Sequence, residues 1–142
     1  MTARESLASV PKGVRVLDVE ECWRRLETHN LGRFAVQANG GVDIFPVNFL
    51  VHDRVIYFRS APGSKLIDLT LAPAVSFEID GHVAHHLWSV VIHGVATRLG
   101  SDVEIQACGI LDLEAWYPSE KLNYVRVTPS SVTGRSFTKP SQ

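Results

Sequence analysis

A cluster of cations and hydroxyl groups lies at one strand-to-helix corner near the middle of the sequence. Arg59 and Ser60 end an apolar run, and Ser64 and Lys65 follow after a Pro-Gly pair. The first turn of a helix has unpaired backbone N–H groups and a partial positive charge, so phosphate binds there readily. The side chains would add two full charges and two hydroxyl donors. The corner predicts an anion site, and a capped helix with two solvated cations is the structural alternative.

An interruption in the apolar pattern lies upstream of this corner. Val42 and Ile44 share one strand parity, whereas Val47, Phe49 and Val51 share the other. Proline donates no ladder hydrogen bond, so Pro46 at the change of parity predicts a bulge or kink. A kink would free the backbone of Val47 and the amide of Asn48 to meet the polar edge of a ligand. An edge strand protected against aggregation explains the same pattern.

The histidines and cysteines predict neither a metal site nor a nucleophile. His82, His85 and His86 cluster, but no cysteine or carboxylate partner follows at zinc-site spacing, so solvated imidazoles are favoured. Cys22 and Cys108 each lie within an apolar helical pattern and are too few for a disulfide framework. We therefore expect two buried, reduced thiols and a cytoplasmic protein.

The composition indicates one domain without a nucleic-acid or membrane partner. The 142 residues suffice for one hydrophobic core and are too few for two ordinary domains. We expect a flexible lead-in over residues 1–13, one domain over 14–137 and a frayed tail over 138–142. The net charge of −1 gives no long-range attraction to nucleic acid or acidic membranes. No apolar run reaches membrane-spanning length.

Helix signals are few. Asp18 with Glu21, and Ser101 with Glu104, have the spacing of helix N-terminal capping pairs. The second helix is expected to end before Pro118. Its buried stripe is predicted to consist of Val103, Ala107, Ile110 and Leu111.

Short strands dominate the rest of the chain. A long strand is expected from Leu87 to Arg98, in which Gly94 allows a bend or a close backbone approach. Two terminal strands, Leu122–Val127 and Val132–Phe137, are expected on either side of a Thr-Pro-Ser turn. About seven β-segments in closely spaced hairpins predict an antiparallel sheet closed into a small barrel. The dinucleotide, P-loop and serine-hydrolase motifs are absent from the sequence.

Several motifs in this order resemble the pyridoxamine 5′-phosphate oxidase-like family, the FMN-binding split barrels. The likeness extends from about Leu17 to Phe137. Within the family, the sequence most resembles the short bacterial branch that includes nitroimidazole-resistance-type proteins. The segments that carry the resemblance are Gly32–Ala35, Phe45–Phe49, Tyr57–Leu66 and Trp88–Gly94.

The resemblance implies a mainly β, α+β fold: a six-stranded antiparallel Greek-key split β-barrel with flanking helices. It also implies a homodimer that binds two FMN molecules in clefts between the subunits. The FMN phosphate would be held by Lys65 and Ser64. The remaining residues that the resemblance places around the cofactor are Arg59, Ser60 and Leu66 beside the phosphate, Pro46, Val47 and Asn48 along the ring, Phe58 near the ribityl chain, and Trp88 and Ser89 at the dimer cleft.

The function that the resemblance implies is that of a flavin-dependent oxidoreductase acting on a small molecule. The flavin would perform hydride transfer without an obligatory catalytic side chain, and His93 in mid-strand is expected to be a packed or hydrogen-bonded imidazole. The chain lacks the arginine-rich terminal segment of true pyridoxamine phosphate oxidases, so vitamin B6 oxidation is not expected. A deazaflavin-dependent reductase and a non-catalytic flavin-binding protein are the alternatives, and haem binding is a weaker one.

Overall fold

Seven strands, two short α-helices and one 3-10 helix make up the described part of the chain. The structure is a computed structural model, and it describes residues 10–38, 40–60, 74–112 and 123–140. No helix within these ranges is long and apolar enough to cross a membrane. The elements are β1 (Val14–Leu17), α1 (Val19–Glu27), β2 (Leu31–Ala38), β3 (Gly41–His52), β4 (Val55–Ser60), β5 (Ala74–Val83), β6 (His86–Arg98), α2 (Asp102–Ala107), the 3-10 helix (Ile110–Asp112) and β7 (Asn123–Thr138).

The sheet closes on itself, as the sequence predicts. The strand order is β1-β7-β4-β3-β2-β5-β6, and β6 pairs back onto β7, so six antiparallel strands form a barrel to which β1 adds a seventh. β5 lies beside β2, on the far side of the β2–β3–β4 meander, which is the Greek-key arrangement. The expected split-barrel fold is confirmed.

Aromatic side chains fill the barrel because they recur on the inward parity of neighbouring strands. Phe34 packs on Phe58 with ring centroids 4.8 Å apart, and Phe49 packs on Phe77 at 4.9 Å. All four rings are fully buried. α1 covers one side of this core and begins at the predicted cap, where the Asp18 carboxylate accepts a hydrogen bond of 2.8 Å from a first-turn N–H.

Both cysteines are buried and unpaired, as predicted. Cys22 is completely covered within the main core, so close to Gly134 that an added Cβ there would lie 2.7 Å from its sulfur. Burial raises the pKa of the Cys22 thiol, and the nearby Asp18 carboxylate adds to the rise. The neutral thiol is therefore favoured, and Cys22 is a packing residue.

The bulge predicted at Pro46 is wrong. β3 pairs with β2 without a break from Asn48 to Gly41, and Pro46 lies opposite Arg33 within that register. The change of apolar parity has a different cause: Val42 and Ile44 point out of the barrel and are 63% and 66% exposed. The strand keeps its period of two, and its outer face is apolar at one end.

The two predicted terminal strands are a single strand, β7. Pro129 is tolerated in mid-strand because the pairing with β4 ends at Val127 and the pairing with β1 begins at Gly134. Between these points β7 pairs with β6 alone, and Ser130 is an extra residue opposite the His93–Gly94 step.

The predicted stripe of the second helix is partly wrong, because the helix ends early. α2 stops at Ala107, and Gly109 adopts φ +85° just beyond the C-cap residue Cys108. The chain turns there, so Val103 is 78% exposed and Leu111 also faces solvent. The predicted Ile110 is buried, and Cys108 is buried beside it, against the outer side of β4.

Replacing Gly94 with alanine is expected to destabilise the barrel by about 1–3 kcal/mol, because a new methyl group would overpack the fold. An ideal Cβ at this position lies 2.3 Å from the carbonyl oxygen of Thr128, which is backbone and cannot move aside. Urea unfolding at fixed protein concentration measures the change.

Gly100→Ala is the matched control, since apart from its two chain neighbours no atom of the described residues lies within 4 Å of its ideal Cβ. We expect this variant to stay within about 0.5 kcal/mol of the native chain. Equal effects of the two substitutions would contradict the close approach of β6 and β7 at Gly94.

Candidate functional site

The hydrogen-bonded ladder between β3 and β4 ends part-way along both strands. Its last pair is Phe49 with Phe58. Beyond this pair β3 continues beside β2 as far as Gly41, and β4 continues beside β7 as far as Ser60. Within the described residues the two strands therefore have no pairing beyond Phe49 and Phe58, and we call the place where the ladder ends, at Asn48 and Arg59, the split.

The backbone at the split is available on the β4 side. Phe49 donates its N–H to the Asn30 carbonyl, on the β2 side, at 3.0 Å. Successive residues of a strand point their N–H groups to opposite sides, so the N–H of Asn48 is directed toward β4, past the end of the ladder. Pro46 has the same parity and provides no donor, as expected for a strand segment paired on one side.

Arg59 and Asn48 present their side chains on the outer face of the split. Phe58 points into the core, so its neighbour Arg59 points out. The Nε atom of Arg59 is buried and has no hydrogen-bond partner among the described residues. Asn48 is partly exposed, and its amide nitrogen donates to the Asn30 carbonyl at 3.3 Å.

A buried donor on a cation without a partner is unusual, because leaving it unsatisfied costs about 1–3 kcal/mol or more. The guanidinium of Arg59 also presents a fixed fork of donors that matches phosphate oxygens. The donors that Arg59 presents at the split thus fit an anionic group, and its role as a phosphate ligand stays a prediction.

Three other predicted residues do not present their side chains on this face. Val47 is 7% exposed and Phe58 is fully buried, and both side chains belong to the barrel core. Trp88 is buried beneath α1, where the Arg25 guanidinium lies 4.6 Å from its ring centroid and the His29 ring packs edge-on at 4.8 Å.

Like Trp88, Ser89 is a predicted residue that one chain does not bring to the split. It lies on β6 and, with the opposite parity to Trp88, points outward. β2 and β5 stand between β6 and β3, and three strand spacings correspond to about 14 Å. Ser64, Lys65 and Leu66 lie outside the described residues, and so does the side chain of Ser60.

Comparison with known proteins identifies the relationship. The sequence model of the pyridoxamine 5′-phosphate oxidase family matches residues 18–136, which include every strand from β2 to β6 and most of β7. The chain belongs to this family. The resemblance of the four motifs is thereby confirmed.

Solved and curated relatives lie within the same family. A Corynebacterium glutamicum protein, provisionally assigned as a pyridoxamine 5′-phosphate oxidase, is 38% identical with TM-score 0.82, covering 94% of this chain and 100% of that one. A Mycobacterium smegmatis FAD-binding protein is 35% identical with TM-score 0.75, covering 87% and 99%. The uncharacterized Mycobacterium tuberculosis protein Rv3129 is 35% identical over 88 residues, 62% of this chain and 80% of its own length.

The nitroimidazole-resistance branch is related through the fold. A Bacteroides thetaiotaomicron protein of that type has TM-score 0.70 and covers 89% of this chain and 90% of its own, at 14% identity. At that identity the likeness concerns the barrel and not the site.

In this family member, sequence reasoning missed a polar cluster beside the split. Glu104 of α2 accepts hydrogen bonds from one nitrogen of Arg126 at 2.8 and 2.6 Å, and the hydroxyl of Tyr57 donates to it at 3.2 Å. Tyr57 and Arg126 are cross-strand partners on β4 and β7. The next pair on the same outward face is Arg59 with Tyr124. The shared outward parity of Tyr57 and Arg59 was the available signal.

Three of the histidines, His82, His85 and His93, line cavities on the outside of the barrel. His93 accepts or donates through Nδ1 to Ser76 Oγ at 3.0 Å, which confirms a hydrogen-bonded imidazole, and it lines an outer cavity of about 390 Å³. His82 and His85 line a second cavity of about 300 Å³. Among the described residues, no three side chains of His, Cys, Asp or Glu gather as a metal ion would require.

Tyr57 should remain protonated when ordinary tyrosines have ionised. Burial raises its pKa to about 12, and the Glu104 carboxylate adds to the rise. Because the unfolded phenol ionises near pH 10, the stability that this group contributes is fully present below pH 10 and is lost as pH rises through about 12.

Phenolate absorbance during an alkaline titration, compared with Tyr57→Phe, isolates this group. We expect the difference between the two curves to be a transition near pH 12. A difference centred near pH 10 would contradict the buried contact with Glu104.

Proposed function

We propose that this chain is an FMN-dependent oxidoreductase that binds its flavin in the split between β3 and β4 and acts on a small molecule. The observation that carries the proposal is that Arg59 Nε, at the end of the β3–β4 ladder, is buried and has no hydrogen-bond partner among the described residues. Membership of the pyridoxamine 5′-phosphate oxidase family supports it.

The chain's own residues would bind and orient the cofactor. Arg59 would donate to the phosphate, together with Ser64 and Lys65 from the segment that follows β4. The Asn48 N–H would donate to the polar edge of the ring. Because Val47 and Phe58 are locked in the core, the two lips of the split are held rigidly, which lowers the cost of ordering the site.

The flavin, when bound, supplies hydride transfer, and the protein supplies placement and electrostatics. FAD is a second candidate cofactor, because a 35% identical relative is an FAD-binding protein. FMN, FAD and a phosphate-bearing deazaflavin would all present phosphate to Arg59, so the identity of the cofactor is a separate question from the site. We assign no catalytic side chain.

A second copy of the chain would complete this site. The outer face of β2, β3 and β6 carries exposed apolar side chains, and at its centre Arg33 forms ion pairs with Glu78 and with Asp80, the latter at 2.6 Å. An apolar surface around charges that are already paired suits burial against a partner. Such a homodimer would bring Ser89 of the second copy to the split. The exposed apolar residues of this face are Leu31, Val42, Ile44 and Val95.

The ligand released from the purified protein is expected to be FMN. Its absorbance spectrum separates flavins from deazaflavins, and its mass separates FMN from FAD. Arg59→Gln should weaken FMN by about tenfold or more, because a charge-assisted phosphate contact is worth about 1.5–3 kcal/mol. Lys65→Ala should act in the same direction.

Riboflavin, which lacks the phosphate, should bind the native chain and Arg59→Gln equally. Arg24→Gln, which removes an exposed cation from α1, is the control and should leave FMN affinity unchanged. Unchanged FMN affinity in Arg59→Gln would remove the phosphate site from this position.

Ile44→Asp is expected to shift the chain toward monomers in analytical ultracentrifugation, because it would bury a charge in the proposed interface. Val83→Asp is the matched control: Val83 is 68% exposed and lies at the tip of the β5–β6 hairpin, away from this face. An unaltered dimer in Ile44→Asp, or a native chain that is monomeric, would rule out this interface.

A further inference from the structure

The outer face of β4 and β7 beside the split carries two arginines with different surroundings. Arg59 pairs across the strands with Tyr124, and Tyr57 pairs with Arg126, so the two arginines occupy diagonal positions on this face of the sheet. Diagonal positions on one sheet face lie about 7–8 Å apart. Either cation could therefore contribute to an anion site at this end of the barrel.

Glu104 engages one of the two arginines. Both of its oxygens lie within 2.8 Å of the same nitrogen of Arg126, and Tyr57 fixes one oxygen with a hydrogen bond of 3.2 Å. The carboxylate and the guanidinium are each about one-third exposed, so the pair is only partly screened by water. Arg59 keeps a buried Nε without a partner in the described ranges.

The position of Glu104 in its helix makes this engagement notable. Ser101 caps α2 by accepting the Glu104 N–H at 3.5 Å, which is one half of a capping box. The other half would use the Glu104 side chain at the helix start, yet that side chain reaches across to β4 and β7. Its charge is therefore directed at the sheet face beside the split.

We propose that Glu104 is a positioning residue that sets the charge of the phosphate site: by pairing with Arg126 it leaves Arg59 as the arginine that meets the cofactor's phosphate. This inference rests on the proposed function. Acting through Arg126, Glu104 limits the affinity for a phosphate monoester, which carries about −1.5 to −2 charges at neutral pH. The side chain touches neither flavin nor substrate.

Glu104→Gln tests this assignment because it keeps the shape and releases the charge of Arg126. The positive charge of Arg126, no longer neutralised, would lie about 8 Å from the phosphate in a partly hydrated site. Its attraction should lower the dissociation constant of FMN by about three- to tenfold. The gain should shrink in 1 M salt, where the screening length falls to about 3 Å. Riboflavin affinity should not change, and a purely structural role would move both ligands together.

Two further variants make the test specific. Asp102→Asn is the control, because it removes one negative charge from an exposed position of α2 that does not contact Arg126. The ratio of FMN affinity to riboflavin affinity should stay within twofold of the native value. The double variant Glu104→Gln with Arg126→Gln should lose the gain seen in Glu104→Gln alone. Circular dichroism and melting temperature verify that each variant is folded.

The outcomes separate the two hypotheses. A native chain that binds FMN, with a Glu104→Gln variant that shows no gain for FMN over riboflavin, overturns the role of Glu104 alone. A gain that persists in the double variant also overturns it, because Arg126 would not be the mediator. A native chain that binds no flavin overturns the proposed function and this inference with it.

Discussion

The separation of β3 from β4 is the constraint on which the candidate site depends. Each of the two strands also pairs with a second strand. β3 stays in register with β2 as far as Gly41, whereas β4 stays in register with β7 as far as Ser60. A closed barrel satisfies nearly every ladder group, so a place where two strands separate leaves donors without strand partners. Arg59 lies at that place, and among the described residues its outward-facing side chain has a buried Nε without a hydrogen-bond partner.

The same alternation that fills the barrel decides what each strand can offer to a ligand. Val47 and Phe58 are neighbours of the split in sequence, but their side chains hold the core together. They fix the backbone of β3 and β4 at the edges of the split. Asn48 follows Val47 and Arg59 follows Phe58, and both of these next residues face outward. Core and site are therefore built from alternate residues of the same two strands, so a change of register would exchange their roles.

The sequence was sufficient for the architecture, the site residues that it suggested stay a prediction, and it failed where a local pattern has two physical origins. Capping at Asp18 and the period-two strands reported local preferences that the fold respects. In a sequence, an apolar residue that faces outward looks the same as a change of register in the strand. The outward-facing Ile44 therefore led to the wrong prediction of a bulge at Pro46. Pro129 was interpreted as part of a turn. It is tolerated within β7 because neither β4 nor β1 pairs with β7 at that point, and this depends on strands that are distant in the sequence.

The pairing of Glu104 with Arg126 was beyond the reach of sequence patterns for a related reason. Twenty-two residues separate the partners, and no periodicity connects a short helix to a strand that follows it. Yet this contact gives two chemically identical side chains, Arg59 and Arg126, different electrostatic surroundings on one sheet face. The number of cations near a site is therefore a poor guide to its charge, because what an anion meets depends on which cations the protein has already neutralised.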